Sequence, residues 1–120
     1  MGFLHHGADR YDLDDRVLHH VRRVIVQKLK RNESFLLSWT SPTTSLPQSA
    51  WIAPRTALGF EFSGSRPPAL NRSWTERLMS ASYSTVGLDL DTSPEEPETV
   101  RRGPSGSGSS TPTAARSGRR

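Results

Sequence analysis

Between Asp14 and Trp39 the spacing of apolar residues changes from that of a helix to that of a strand across a single asparagine. Val17, Leu18, Val21, Val24, Ile25 and Leu29 recur at the interval that places side chains on one helix face. Beyond Asn32 the interval drops to two, with Phe35, Leu37 and Trp39 on one side of a strand and Leu36, Ser38 and Thr40 on the other. The flanking residues agree with this division. Asp14 can cap the helix and Asp15 falls in its first turn, while Lys28, Lys30 and Arg31 lie in its last, matching the macrodipole at both ends. Asn32 suits the left-handed residue that stops a helix. A helix feeding directly into a strand implies a core to which both contribute.

The rest of the pattern is weaker but consistent. Phe3 to His6 and Tyr11 to Leu13 flank Gly7-Ala8-Asp9-Arg10, which predicts a hairpin. A Ser/Thr/Pro loop from Ser41 to Ser49 leads to strands at Ala50 to Ala53 and Leu58 to Ser63, with Pro54-Arg55-Thr56 turning between them. After Gly64 to Pro68, the spacing of Leu70, Trp74, Leu78 and Ala81 predicts a second helix, capped by Asn71 or by a Ser73-x-x-Glu76 box. Val86, Leu88 and Leu90 alternate as a last short strand. The fold predicted is α+β: a small, mainly antiparallel sheet of about five or six short strands with both helices packed on one face. Its core should hold Val21, Ile25, Leu29, Phe35, Leu37, Trp39, Phe60, Phe62, Trp74 and Leu78. Trp39, Trp51 and Trp74 each fall in an apolar phase, which favours core packing over stacking on bases.

Composition places the boundary of that fold. All three Trp, all four Phe and both Tyr of the 120 residues precede Asp91; beyond it only Val100 and two alanines count as hydrophobic. The expected organisation is one α+β domain over residues 1–91 and a disordered Pro/Ser/Gly/Arg-rich tail over 92–120, too polar to offset its ordering entropy. A domain of about 90 residues has little protein from which to wall a deep active site. The net charge of +4 is shared evenly, and 11 Lys and Arg against 9 Asp and Glu leave residues 1–91 at only +2, no strong footprint for nucleic acid. The chain has no cysteine, which removes disulfides, thiolate metal sites and thiol nucleophiles and suits a reducing compartment. No basic segment followed by an apolar run opens it, and no apolar stretch nears membrane-spanning length, so the expected location is cytoplasmic, without membrane partners.

Three stretches resemble one family. These are Leu13 to Trp39 with its Glu33-Ser34-Phe35 and Ser38-Trp39, then Trp51-Ile-Ala-Pro and Phe60-Glu-Phe-Ser-Gly, then Arg66-Pro-Pro-Ala-Leu-Asn-Arg-Ser-Trp through Leu78-Met-Ser-Ala to Gly87-Leu-Asp-Leu. Together they are similar to a small actinobacterial domain of unknown function, whose members often carry the automatic label "ATP-dependent DNA ligase". The family brings no catalytic residues to transfer. The label implies a lysine nucleophile in a Lys-x-Asp-Gly context. The two lysines, Lys28 and Lys30, are not followed by Asp-Gly, and no Gly-rich phosphate-binding motif is present.

Other candidate chemistry is sparse. His5-His6 and His19-His20 are adjacent pairs, and neighbours on a helix point about 100° apart, so solvated histidines are expected rather than a metal site. Lys28 lies within the apolar stripe, as a buried amine or as a stem covering the core edge with its ammonium in water. No catalytic, cofactor-binding or metal-binding residue is assigned. The expected role is an accessory or interaction domain, contacting partners through a sheet edge or the basic helix face. The alternatives are a nucleic-acid-associated protein contacting phosphates through Arg22, Arg23, Lys30 and Arg31, and a ligase-related protein as the family label implies.

Overall fold

A computed structural model describes residues 1–97. Strands β1 (Gly2–His6) and β2 (Asp9–Leu13) form the expected hairpin, with Gly7 at φ +61° in its turn. Helix α1 (Asp15–Lys30) starts where Asp14 accepts the amides of Arg16 and Val17, and stops where Asn32 adopts φ +61°. Next come β3 (Phe35–Thr40), β4 (Pro47–Ile52), β5 (Leu58–Glu61), α2 (Arg72–Ala81) and the two-residue β6 (Leu88–Asp89), closed by one 3-10 turn (Leu90–Thr92). Asn71, one of the two expected caps, accepts the Trp74 amide at 3.1 Å. The strand expected at Ala50 begins earlier, at Pro47, so the preceding loop is shorter than its composition suggests.

The α+β class, six mainly antiparallel strands and two helices agree with the pattern. The strands, however, divide into two three-stranded sheets, ordered β2-β1-β5 and β4-β3-β6. Within them β3 and β6 run parallel, and the other pairs antiparallel. One core joins both sheets to both helices: Leu4 and Leu13 from the first sheet, Leu37, Ile52 and Leu88 from the second, Leu18, Val21 and Ile25 from α1, Trp74 and Leu78 from α2. Of the expected core, Leu29, Phe60 and Phe62 are only partly buried at its margin. Trp51 departs from expectation and stands 56% exposed, because Ala50 and Ile52 take the inward phase of β4. Val86 is exposed as well, so the last strand starts two residues later than its alternation implies.

Polar contacts fasten the elements where apolar area runs short. Asp15 accepts from the Ser63 amide and hydroxyl and the Gly64 amide, tying the loop after β5 to the start of α1. His20 corrects the expectation of solvated histidines, since it is fully buried and lies 4.5 Å from the Trp74 ring. Its Nδ1 donates to the Arg16 carbonyl at 2.7 Å, and its Nε2 accepts the Asn71 amide at 2.8 Å. Both partners require the neutral ring. Burial pushes the His20 pKa below its ordinary value.

Contacts with the fold also continue past the composition break at Asp91. Trp74 donates its indole N–H to the Ser93 carbonyl, and Asn71 donates to the Glu96 carbonyl. The Glu95 carboxylate takes two 2.7 Å bonds from Arg16 and a third from Asn71. The Arg16 guanidinium holds the Glu95 pKa down at about 2. Residues 93–96 are thus a strap across the starts of both helices; the remainder of the expected tail, 98–120, lies outside the described residues.

Two outcomes follow. A chain ending at Asp91 should melt at least about 5 °C below one ending at Pro97, because Asn71, Trp74 and Arg16 all lose partners; equal melting temperatures would show that the strap contributes nothing. Stability should also fall in two steps on acidification. The folded pKa of His20 is depressed, so its contribution is complete above about pH 6.5 and declines below it as the unfolded chain takes up the proton first. That of Glu95 is complete above about 4.5 and is lost as pH falls toward about 2. Urea titrations of the wild type and His20→Gln across pH 7 to 5 should show the upper step in the wild type alone.

Candidate functional site

Lys28 follows Val24 and Ile25 in the stripe of α1 and is carried inward with them; only 2% of it is exposed. The end of the helix then brings its charged neighbours back over it. The Lys28 carbonyl accepts the amides of Arg31 and Glu33, and the left-handed Asn32 between them folds Glu33 against the helix terminus. The Glu33 carboxylate stops 3.6 Å from Nζ, beyond hydrogen-bond range, and accepts instead from the Tyr83 hydroxyl at 2.9 Å. Arg31 donates to that same hydroxyl at 2.8 Å. These two bonds hold the Tyr83 ring over the ammonium, 3.7 Å from Nζ to the ring centre, with Phe35 at 5.3 Å. Among the described residues the Lys28 ammonium donates no hydrogen bond.

Above it runs a groove of about 400 Å³. Leu36 and Trp51 form one wall, paired across the β3–β4 ladder. The other is the loop from Ser82 to Gly87, closed on itself by Ser84 Oγ donating to the Gly87 carbonyl at 2.7 Å. Gly87 is required there: it has φ +82°, and a Cβ would lie 2.3 Å from the Leu36 carbonyl oxygen. Trp51, Tyr83 and Val86, at 56%, 53% and 69% exposed, are three of the five exposed large hydrophobic residues among the described residues, and all line this groove. Such clustering distinguishes a patch from the scattered apolar residues of an ordinary surface.

The residues expected to contact nucleic acid do not gather in this way. Arg22, Arg23, Lys30 and Arg31 are all exposed. Arg22 leans over Phe60, 5.9 Å from its ring centre, while Arg31 reaches Tyr83. Positions 22 and 31 are about half a turn apart in helical phase, leaving Arg23 and Lys30 as the pair on a common line. The histidines find structural partners: His5 bonds Glu61, His6 the Trp51 carbonyl, and His19 stacks on Phe62. Among the described residues no group of three or more His, Cys, Asp or Glu is arranged to hold a metal, and no helix is long and apolar enough to cross a membrane. A second cavity, of about 280 Å³, lies by Trp39, Trp74 and Pro94 beside the Arg16–Glu95 pair. The sequence signals Lys28 through its phase, but not Trp51, Tyr83 or Val86, whose neighbourhood arises from pairing distant segments.

Residues 1–93 match the family model described as "Domain of unknown function (DUF7882)". The chain belongs to that family, whose extent runs from the first strand through the 3-10 turn to the start of the strap. No curated protein and no solved structure matches the chain.

A buried charge with no hydrogen bond is a poor stabiliser, so Lys28→Met should leave stability unchanged or raise it by about 1 kcal/mol. Urea unfolding measures this directly. A loss above about 2 kcal/mol would make Lys28 a structural ion-pair residue and remove the reason to place a site there.

Proposed function

We propose that this domain is a non-enzymatic interaction module, and that the groove between Trp51 and the Ser82–Gly87 loop is its contact surface. The observation that carries this reading is the concentration of exposed Trp51, Tyr83 and Val86 around one groove. Aromatic groups that already face water, and that surround a partly apolar depression, are what protein interfaces use as anchors. The groove's polar side chains support the same reading. Lys28 is capped by the Tyr83 ring and Glu33 is engaged by its hydroxyl, so neither is presented as an acid, base or nucleophile. A cytoplasmic setting belongs to this proposal and is supported by the cysteine-free sequence.

A second reading, contact with nucleic-acid phosphates through Arg22, Arg23, Lys30 and Arg31, rests on the exposure of all four. The two readings separate in one pair of measurements. A photo-crosslinking residue at Val86, introduced in living cells, should give a discrete protein adduct that disappears with Trp51→Ser. The same residue at Arg23 should give none. Affinity for a DNA duplex, followed as salt is raised, should be weak and insensitive to replacing the four basic residues. No adduct from Val86, together with duplex binding that falls steeply with salt and vanishes in the fourfold variant, would reverse the order of the two readings.

A further inference from the structure

The chemistry of the groove names what occupies it. We infer that the groove takes an extended segment of another protein in which a Glu or Asp side chain, flanked by apolar residues, is received by the ammonium of Lys28; this rests on the interaction reading above.

Three observations converge on this. First, Lys28 has three donors, almost no exposure and, among the described residues, no acceptor within hydrogen-bond range, its ion-pair partner Glu33 being held at 3.6 Å by its bond to Tyr83. A buried ammonium in that state has unused capacity for an oxygen acceptor. Second, the local charge is unbalanced in the right sense: Lys28 and Arg31 face one carboxylate, Glu33, and an incoming carboxylate makes two cations and two anions. Third, apolar contacts stand on both walls, Trp51 on the strand side and Val86 on the loop side. An acid with apolar neighbours before and after it therefore fits better than an isolated terminal carboxylate. A nucleic-acid backbone fits less well, because successive phosphates need successive cations and this groove buries one.

Tyr83 is the movable part. Its ring covers Nζ yet is half exposed, and its position depends on two hydrogen bonds to exposed or half-buried partners. A small rotation of the ring opens Lys28 to the groove while the hydroxyl stays between Arg31 and Glu33.

The test uses the full chain, ¹⁵N-labelled, and three probes: acetyl-Phe-Glu-Phe-amide, acetyl-Phe-Gln-Phe-amide and a ten-nucleotide oligothymidylate. The Glu peptide should shift the Trp51 indole resonance and bind at least tenfold more tightly than the Gln peptide. Lys28→Met should erase that difference by weakening the Glu peptide alone, and a cooperative unfolding curve with a midpoint no lower than the wild type's would show that the fold is intact. Equal affinity of the two peptides for the wild type would overturn the carboxylate assignment while leaving the interaction face standing. A Trp51 response to neither peptide overturns the assignment too, and only a missing Val86 adduct would extend the failure to the interaction reading itself. A response to the oligothymidylate stronger than to the Glu peptide would replace a protein segment with a nucleic acid.

Discussion

The fold depends on a closed ring of hydrogen bonds that begins and ends at Arg16. The Arg16 carbonyl accepts from His20, His20 accepts from the Asn71 amide, Asn71 donates to Glu95, and Glu95 receives the Arg16 guanidinium. Four residues from α1, the start of α2 and the strap are thereby fixed with respect to one another. The ring works only with a neutral His20 and an ionised Glu95, the states that burial and the Arg16 charge respectively favour. His20 and Asn71 are the buried members, so a change that unpairs either of them leaves a buried polar group without a partner, a larger loss than the surface-exposed Arg16–Glu95 pair alone would cause.

The stripe of α1 carries two polar insertions, and they contrast. His20 is satisfied on both nitrogens and locks the first half of the helix to α2. Lys28, two turns later, is equally buried but leaves its donors open beneath an aromatic lid. A leucine at position 28 would complete the stripe with none of the desolvation cost of an ammonium. The helix thus holds one polar residue tied to the fold by two hydrogen bonds and one held by a 3.6 Å ion pair and two aromatic contacts.

What was legible in the sequence was local. Asp14, the apolar steps of α1, Asn32 and the alternation of β3 all act within a few residues, and each appears where its chemistry places it. The division into two sheets was not legible, because it rests on β5 leaving its sequence neighbour β4 to pair with the distant β1, Leu58 against His6 and Glu61 against Phe3. Trp51 was misleading for another reason: in Ala50-Trp51-Ile52 every position is apolar, so alternation cannot say which phase is inward. The strap escaped a reading based on hydrophobicity since its attachment is almost wholly polar, through three carbonyls and a carboxylate. His20 looked like half of an adjacent pair; its burial depends on where α2 begins, which no helical phase reveals. The candidate groove combines both kinds of signal: Lys28 is out of place in its own stripe, but the aromatic residues that give it meaning come from β4 and the loop after α2.

The relation between the ring and the groove bears on how binding would proceed. The groove's floor is the far end of a helix whose first half is clamped by the ring, one wall is a β-ladder, and the other is a loop closed on itself and pressed against Leu36 at Gly87. Little backbone therefore remains to be ordered when a segment arrives, and most of the interaction energy can appear as affinity. The change that binding would require is a turn of the Tyr83 ring about its own long axis, on which the hydroxyl lies, so that its bonds to Arg31 and Glu33 persist. A rigid frame with one aromatic over an ammonium that has an ion-pair partner but donates no hydrogen bond would favour a group that is small, anionic and carried on an apolar strand. The four basic residues on the outer helix surface, spread around its circumference, impose no comparable selection.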